Sequence, residues 1–188
     1  SNDPILNIAL HPFILTVVNK YINENSNLVD VNIAESFSLK STKRIQSQRW
    51  HRDPSTRGVL KIFTYFSDVK KENGPFEFIQ ATHNQKNLYP IDGPKSTKLF
   101  GGSFYPNKDI ISNYLKNKSE KIKSFTGKKG SVIIADTSGL HRGGFAKKGY
   151  RLMSTFTYYP LNSAINTRIK LHRKEKSKLN DFQRYFLN

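Results

Sequence analysis

Gln48-Arg49-Trp50-His51-Arg52-Asp53-Pro54 is the stretch from which the rest of the chain can be read. His51 and Asp53 stand two residues apart. On an extended strand alternate side chains share a face, so the imidazole and the carboxylate project into one space. A second histidine, His141, stands far along the chain in Asp136-Thr137-Ser138-Gly139-Leu140-His141-Arg142-Gly143. Two histidines and a carboxylate on one side of a metal, with the other side open, are the donor set of non-haem Fe(II) sites. Ten residues beyond His141, Arg151 opens the strand-like run Arg151–Tyr158, where a fixed guanidinium can anchor a dicarboxylate.

Working outward, the pattern is one of short strands with flanking helices. Residues 5–24 read as a helix broken or delayed at Pro12. Residues 30–39 alternate as a half-buried strand, with Val31, Ile33, Phe37 and Leu39 as its apolar positions. A central strand is expected over 46–53, stopped by Pro54. Residues 58–66 are apolar on both faces, which describes a covered strand.

Asn73-Gly74-Pro75 reads as a turn leading into Phe76-Glu77-Phe78-Ile79. Residues 84–96 read as loop and 108–118 as a short helix. Strands are expected over 120–126, 131–135 (buried) and 151–159. A basic helical tail is expected over 165–188. The whole, residues 1–188, reads as one mainly β domain with flanking helices: a small antiparallel jelly roll. A jelly roll brings an early-strand histidine beside a late one, as a shared metal requires.

At 188 residues the chain is long enough to bury a core, and 13 Phe with 9 Tyr favour strands. It has no cysteine, which excludes disulfides, thiolate metal sites and cysteine nucleophiles. The longest apolar run, residues 5–18, is interrupted by Asn7, His11 and Pro12 and is too short to span a membrane. A cytoplasmic location is expected. The first residues, Ser1-Asn2, read as though the native N-terminus lay outside this sequence.

The charge is +17, from 31 Lys and Arg against 14 Asp and Glu. That surplus favours anionic partners, among them an anionic small-molecule substrate or nucleic acid. Solvated surface lysine accounts for much of it.

Trp50-His51-Arg52-Asp53, the run from Asp68 through Asn73-Gly74-Pro75 to His83, then His141 and Arg151, together resemble the phytanoyl-CoA dioxygenase family. The likeness extends from about His11-Pro12 to Tyr159. It implies a double-stranded β-helix (jelly roll, cupin-like) with Fe(II), 2-oxoglutarate and O2. By that resemblance His51, Asp53 and His141 are the iron ligands, and Arg151 holds 2-oxoglutarate. In related halogenases a small residue replaces the carboxylate, so Asp53 points to hydroxylation.

Two departures stand out. Ala81-Thr82-His83 replaces the usual Gly-Ser-His, and the chain is short for the family, so a substrate-covering N-terminal segment is expected elsewhere.

Around these four, Lys61, Phe63 and Tyr65 share a face of the 58–66 strand. They are candidates to line the co-substrate pocket, although aromatics at this spacing are commonly core. Arg49 and Arg142 are candidates for the substrate side. Trp50, out of phase with His51, is expected to pack against a covering helix. The competing reading is a basic binding module on an inert β-roll, with nucleic acid as its partner.

Overall fold

The fold is given by a computed structural model that describes residues 3–38, 43–53, 58–84, 105–106, 108–163 and 169–187. Expectations for residues 39–42, 54–57, 85–104, 107 and 164–168, including Leu39, Pro54 and the start of the basic tail, lie outside the described residues.

Pro12 divides the N-terminal segment into α1 (Pro4–Ala9) and α2 (Pro12–Ile22). Each helix has proline in its first turn, where the missing N–H costs nothing. Asp3 caps α1 by accepting from the Ile5 and Leu6 amides, and the His11 ring accepts from Phe13 N–H at α2.

Among the described residues seven strands follow: β1 (Ser26–Phe37), β2 (Leu60–Tyr65), β3 (Phe76–Ile79), β4 (Ile122–Phe125), β5 (Val132–Asp136), β6 (His141–Gly143) and β7 (Tyr150–Pro160). A helix α3 (Lys108–Leu115) precedes β4, and α4 (Arg173–Ser177) and α5 (Asp181–Tyr185) end the chain. The strands form a four-stranded sheet in the order β1-β7-β2-β5 and a three-stranded sheet in the order β4-β3-β6, with every pairing antiparallel. This is the jelly-roll arrangement expected for a double-stranded β-helix.

Three layers result. The helices lie on one face of the larger sheet, where Leu10, Leu15 and Val18 meet Leu28, Leu60, Ile62 and Phe156. Between the two sheets Phe63, Tyr65, Val69, Phe76, Ile133 and Met153 form a second core. Strand β2 explains its own composition: Leu60 and Ile62 face the helices, Phe63 and Tyr65 the smaller sheet.

Several expectations are corrected. The strand expected over 46–53 is instead a 3-10 turn at Gln46–Gln48 followed by a short extended piece. Gln46 takes a left-handed conformation (φ 42°), and Gln48 Oε1 accepts from the Ile45 amide at 3.2 Å, which closes the turn. Strand β1 buries its first residues, not its last: a bulge between Leu28 and Asp30 resets the alternation, leaving Ile33 and Phe37 half exposed. Strand β5 lies at the sheet edge with Val132 and Ile134 open to solvent, rather than buried.

The tail is likewise no single solvated helix. Leu179, Phe186 and Leu187 join the core beneath α1 and α2, and Leu28 N–H donates to the Phe186 carbonyl. Among the described residues no helix is long and apolar enough to cross a membrane.

Candidate metal centre

His51 and His141 are brought together by backbone pairing. Each donates its amide to the other's carbonyl, at 3.0 and 2.8 Å, forming a two-residue antiparallel bridge. Residues so paired put their side chains on the same side, and the two imidazole centroids are 4.2 Å apart. The Asp53 amide donates to the Thr137 carbonyl (2.8 Å), so residues 51–53 run extended and the carboxylate faces the same way as His51. Side-chain donor atoms of His51, Asp53 and His141 all lie within 4.8 Å of one another. The alternation read from the sequence survives although the long strand does not form.

Both rings are held in the orientation a metal needs. His51 Nδ1 is 2.9 Å from the Arg49 carbonyl, and His141 Nδ1 is 2.9 Å from the Gly139 carbonyl. A carbonyl only accepts, so the proton sits on Nδ1 and the Nε2 lone pair is left to bind. Burial pushes His141 down to about 4, against the upward pull of Asp53, and burial also lowers His51. Both imidazoles are therefore neutral at neutral pH, as ligation requires. Burial raises the Asp53 carboxyl, but His141 and Lys61 together hold it below its ordinary value. The donor set thus fits a divalent cation of the Fe(II) kind.

Lys61 meets this centre directly, its Nζ 2.7 Å from Asp53 Oδ2. Phe63 packs on Phe76 at 4.4 Å, and Phe76 lies 5.7 Å from the His141 ring, so Phe63 supports the wall behind that ring. The Tyr65 hydroxyl donates to the Phe125 carbonyl and accepts from the Phe76 amide. With both capacities committed to backbone, Tyr65 contributes shape to the site.

Arg151, on β7, is 5% exposed and points between the sheets. It donates to the Gly74 carbonyl and to Ser36 Oγ at 3.3 Å, and its Nε has no partner. No carboxylate pairs with it among the described residues. A buried guanidinium without a counter-ion is costly, and burial lowers its pKa. Gly74 makes this contact possible: it has φ 72°, and a Cβ there would stand 2.5 Å from the Gly144 carbonyl oxygen. The expected Asn-Gly turn is thus the last residue of a 3-10 turn (Lys71–Asn73) followed by this left-handed glycine.

Arg142 and Arg49 do not converge on His51, Asp53 and His141. Arg142 pairs with Glu77 at 2.5 Å and lies over the Trp50 ring at 4.1 Å. Arg49 lies over the Tyr105 ring, 4.9 Å away, and Tyr105 in turn stacks on His51 at 5.5 Å. Trp50 packs against the cluster containing Ile111 of α3, the covering helix expected from its phase.

Two residues escaped the sequence reading. Tyr105 covers the outer side of His51, and nothing in its neighbourhood signalled it. Thr82 is fully buried; its hydroxyl donates to the Ile79 carbonyl and accepts from the Leu140 amide at 2.8 Å, tying the loop after β3 to the residue before His141. The Thr-His step quoted from the sequence contained it, without its purpose being visible.

Two antiparallel sheets with two histidines and one carboxylate converging at the mouth between them define a class: double-stranded β-helix proteins of the 2-His-1-carboxylate type. Residues 41–147 match the phytanoyl-CoA dioxygenase family (PhyH), and the chain belongs to that family. No curated protein sequence matches the chain.

Among solved structures it is similar to EctD from S. alaskensis with bound Fe (14% identity, 90% of this chain and 56% of that one, TM-score 0.63). It is similar also to HygX from Streptomyces hygroscopicus with nickel and 2-oxoglutarate bound (16% identity, 85% and 66%, TM-score 0.57). A third is the non-heme alpha-ketoglutarate-dependent epimerase SnoN from nogalamycin biosynthesis (13% identity, 84% and 56%, TM-score 0.54). At these identities the likeness is one of fold. The chain spans a little over half the length of the EctD chain it matches.

Proposed function

We propose that the protein is an Fe(II)- and 2-oxoglutarate-dependent dioxygenase that hydroxylates a small molecule. One observation carries this reading. Two imidazoles with Nδ1 pinned and Nε2 free converge with a carboxylate, in the same inter-sheet space as a buried arginine that lacks a carboxylate partner among the described residues. In it, His51, Asp53 and His141 hold the metal, and Arg151 takes the distal carboxylate of 2-oxoglutarate through a charge-assisted, two-pronged contact. The bound iron supplies oxidative decarboxylation of the co-substrate coupled to oxygen insertion at a C–H bond.

The chain's own part is orientation. Thr82 and the carbonyls of Arg49 and Gly139 fix the ligand rings, and Phe63 and Phe76 keep water from their inner side. The similar solved structures support the cofactor choice, since EctD carries Fe and HygX binds 2-oxoglutarate with nickel. The inert basic module gives no reason for two buried neutral histidines to face a carboxylate.

The test is anaerobic addition of Fe(II) and then 2-oxoglutarate, watching for the visible charge-transfer band of the chelate. The band is expected in the wild type and absent from His51→Ala, Asp53→Ala and His141→Ala proteins of unchanged fold. A wild type without the band overturns the reading.

A further inference from the structure

A cavity lies on the outer side of the smaller sheet, and five of its eight lining residues are cationic. It has a volume of about 450 Å3 and is walled by Lys43, Arg44, Arg49, Lys108 and Arg142 around Trp50. Its position follows from strand alternation. In the β3–β6 register His141 is opposite Phe78 and Arg142 opposite Glu77, so Arg142 and Glu77 point away from the ligands. The cavity and the metal centre therefore stand back to back across β6. They meet at one edge, where Tyr105 contacts both the Arg49 guanidinium and the His51 ring.

No acid lines this cavity among the described residues. Glu77 offsets Arg142 from below. Among the described residues Arg44 has only softer contacts: it donates to the Gln48 carbonyl at 3.2 Å and lies 5.6 Å over Phe145. Burial, and after it the repulsion of Arg142, weakens the hold of Arg44 on its proton, while Glu77 pulls the other way. Cations so arranged repel one another unless an anion joins them. The volume suits a small molecule, and planar guanidinium forks match tetrahedral oxyanions. A carboxylate brings one charge and two acceptor oxygens, whereas a phosphate monoester brings nearly two charges and three.

We propose that this cavity binds a phosphate-ester group, and that the molecule oxidised at the metal centre is a phosphorylated compound anchored here. Its phosphate rests among Arg44, Arg49 and Lys108, and the remainder passes the Tyr105 edge towards the ligands. The substrate assignment rests on the oxygenase reading above; the anion site does not.

The experiment is calorimetric titration of the metal-free protein with inorganic pyrophosphate and with citrate, so no turnover enters. Pyrophosphate is expected to bind more tightly than citrate. Binding should weaken at least tenfold in an Arg44→Gln/Arg49→Gln double variant and severalfold in Lys108→Gln, whose exposed position leaves folding untouched. A Lys174→Gln/Lys176→Gln control, altered on α4, should bind as the wild type does. Equal loss in the control, no measurable pyrophosphate binding, or equal affinity for citrate overturns the phosphate site. Tighter binding of a single-stranded oligonucleotide, competing with pyrophosphate and lost in the double variant, overturns it in favour of nucleic acid. The charge-transfer band with Fe(II) and 2-oxoglutarate should persist in the Lys108→Gln protein. A failed phosphate site and a failed oxygenase reading thus give different results.

Discussion

Lys61 Nζ lies 2.7 Å from Asp53 Oδ2, the same carboxylate oxygen that stands 3.6 Å from His141 Nε2. The lysine thus reaches the carboxylate from β2 on the side that faces His141. In the metal-free protein this pair compensates a mostly buried negative charge. With a divalent cation bound, the ammonium becomes a like charge only a few ångströms away.

Opposite signs for one substitution follow. Lys61→Met keeps the stem's volume and removes the charge. The metal-free variant should be less stable by about 1–3 kcal/mol, because Asp53 loses its partner. Its divalent-metal affinity should rise at least tenfold, or about 1.4 kcal/mol, as the repulsion is lost. Chelator competition with Fe(II) or Co(II), beside urea melts of the metal-free protein, reads both. Weaker metal binding would mean that Lys61 helps place Asp53 for the metal.

Arg151 should act on the co-substrate and not on the metal. Arg151→Gln removes the charge that would meet the distal carboxylate and leaves all three ligands in place. Affinity for 2-oxoglutarate should fall by roughly 2–5 kcal/mol, with chelator-measured metal affinity within twofold of wild type. Unchanged 2-oxoglutarate affinity would remove Arg151 from the site.

Acid should destabilise the metal-free protein in two successive windows. His141 has its pKa lowered to about 4 in the fold, against 6.5 for the free side chain. Between those values the unfolded chain binds a proton that the folded chain refuses, so stability falls as pH drops from 6.5 towards 4. The loss is of order 3 kcal/mol from His141, and His51, also lowered, adds in the same direction. Asp53, held low, extends the decline below pH 4. Urea midpoints across this range should show a slope that His141→Gln reduces. Saturating metal should move the decline to lower pH, because a ligated imidazole resists protonation further.

The candidate site was more legible in the sequence than the elements that carry it. Side-chain alternation over His51 and Asp53 needs only three extended residues, and the bridge to His141 supplies them without the strand expected over 46–53. Arg151 was legible because β7 is long and apolar enough to bury whatever its alternation turns inward. Lys61 was undecidable from sequence, since its partner comes from another segment. Arg142 and Arg49 stand apart from the histidine and aspartate cluster for a local reason. Each lies within two residues of a candidate ligand histidine, but alternation turns Arg142 to the reverse face, and Tyr105 takes up Arg49. Nothing local marked Leu179, Phe186 and Leu187 as core, because their partners are near the other end of the chain.

Those last residues yield a prediction that separates charge from packing in the C-terminal segment. Read as a sequence, the segment is a basic tail whose cations sit in solvent. In the fold it closes the helix layer: Phe186 is fully buried, and Gln183 Nε2 donates to the Leu10 carbonyl at 3.1 Å, holding α5 against α1. Neutralising Arg173, Lys174 and Lys176 together touches only exposed side chains, so stability should change by no more than about 0.5 kcal/mol, and 2-oxoglutarate affinity not at all. Phe186→Ala should instead cost about 3–5 kcal/mol, by emptying a site among Leu10, Leu28 and Tyr158 that helices on one side and sheet on the other cannot collapse to fill. Urea denaturation of the two proteins measures the contrast directly. A triple-charge variant as damaged as Phe186→Ala would mean that the cations hold the tail in place. An undamaged Phe186→Ala would mean that the tail rests on the helices without completing their core.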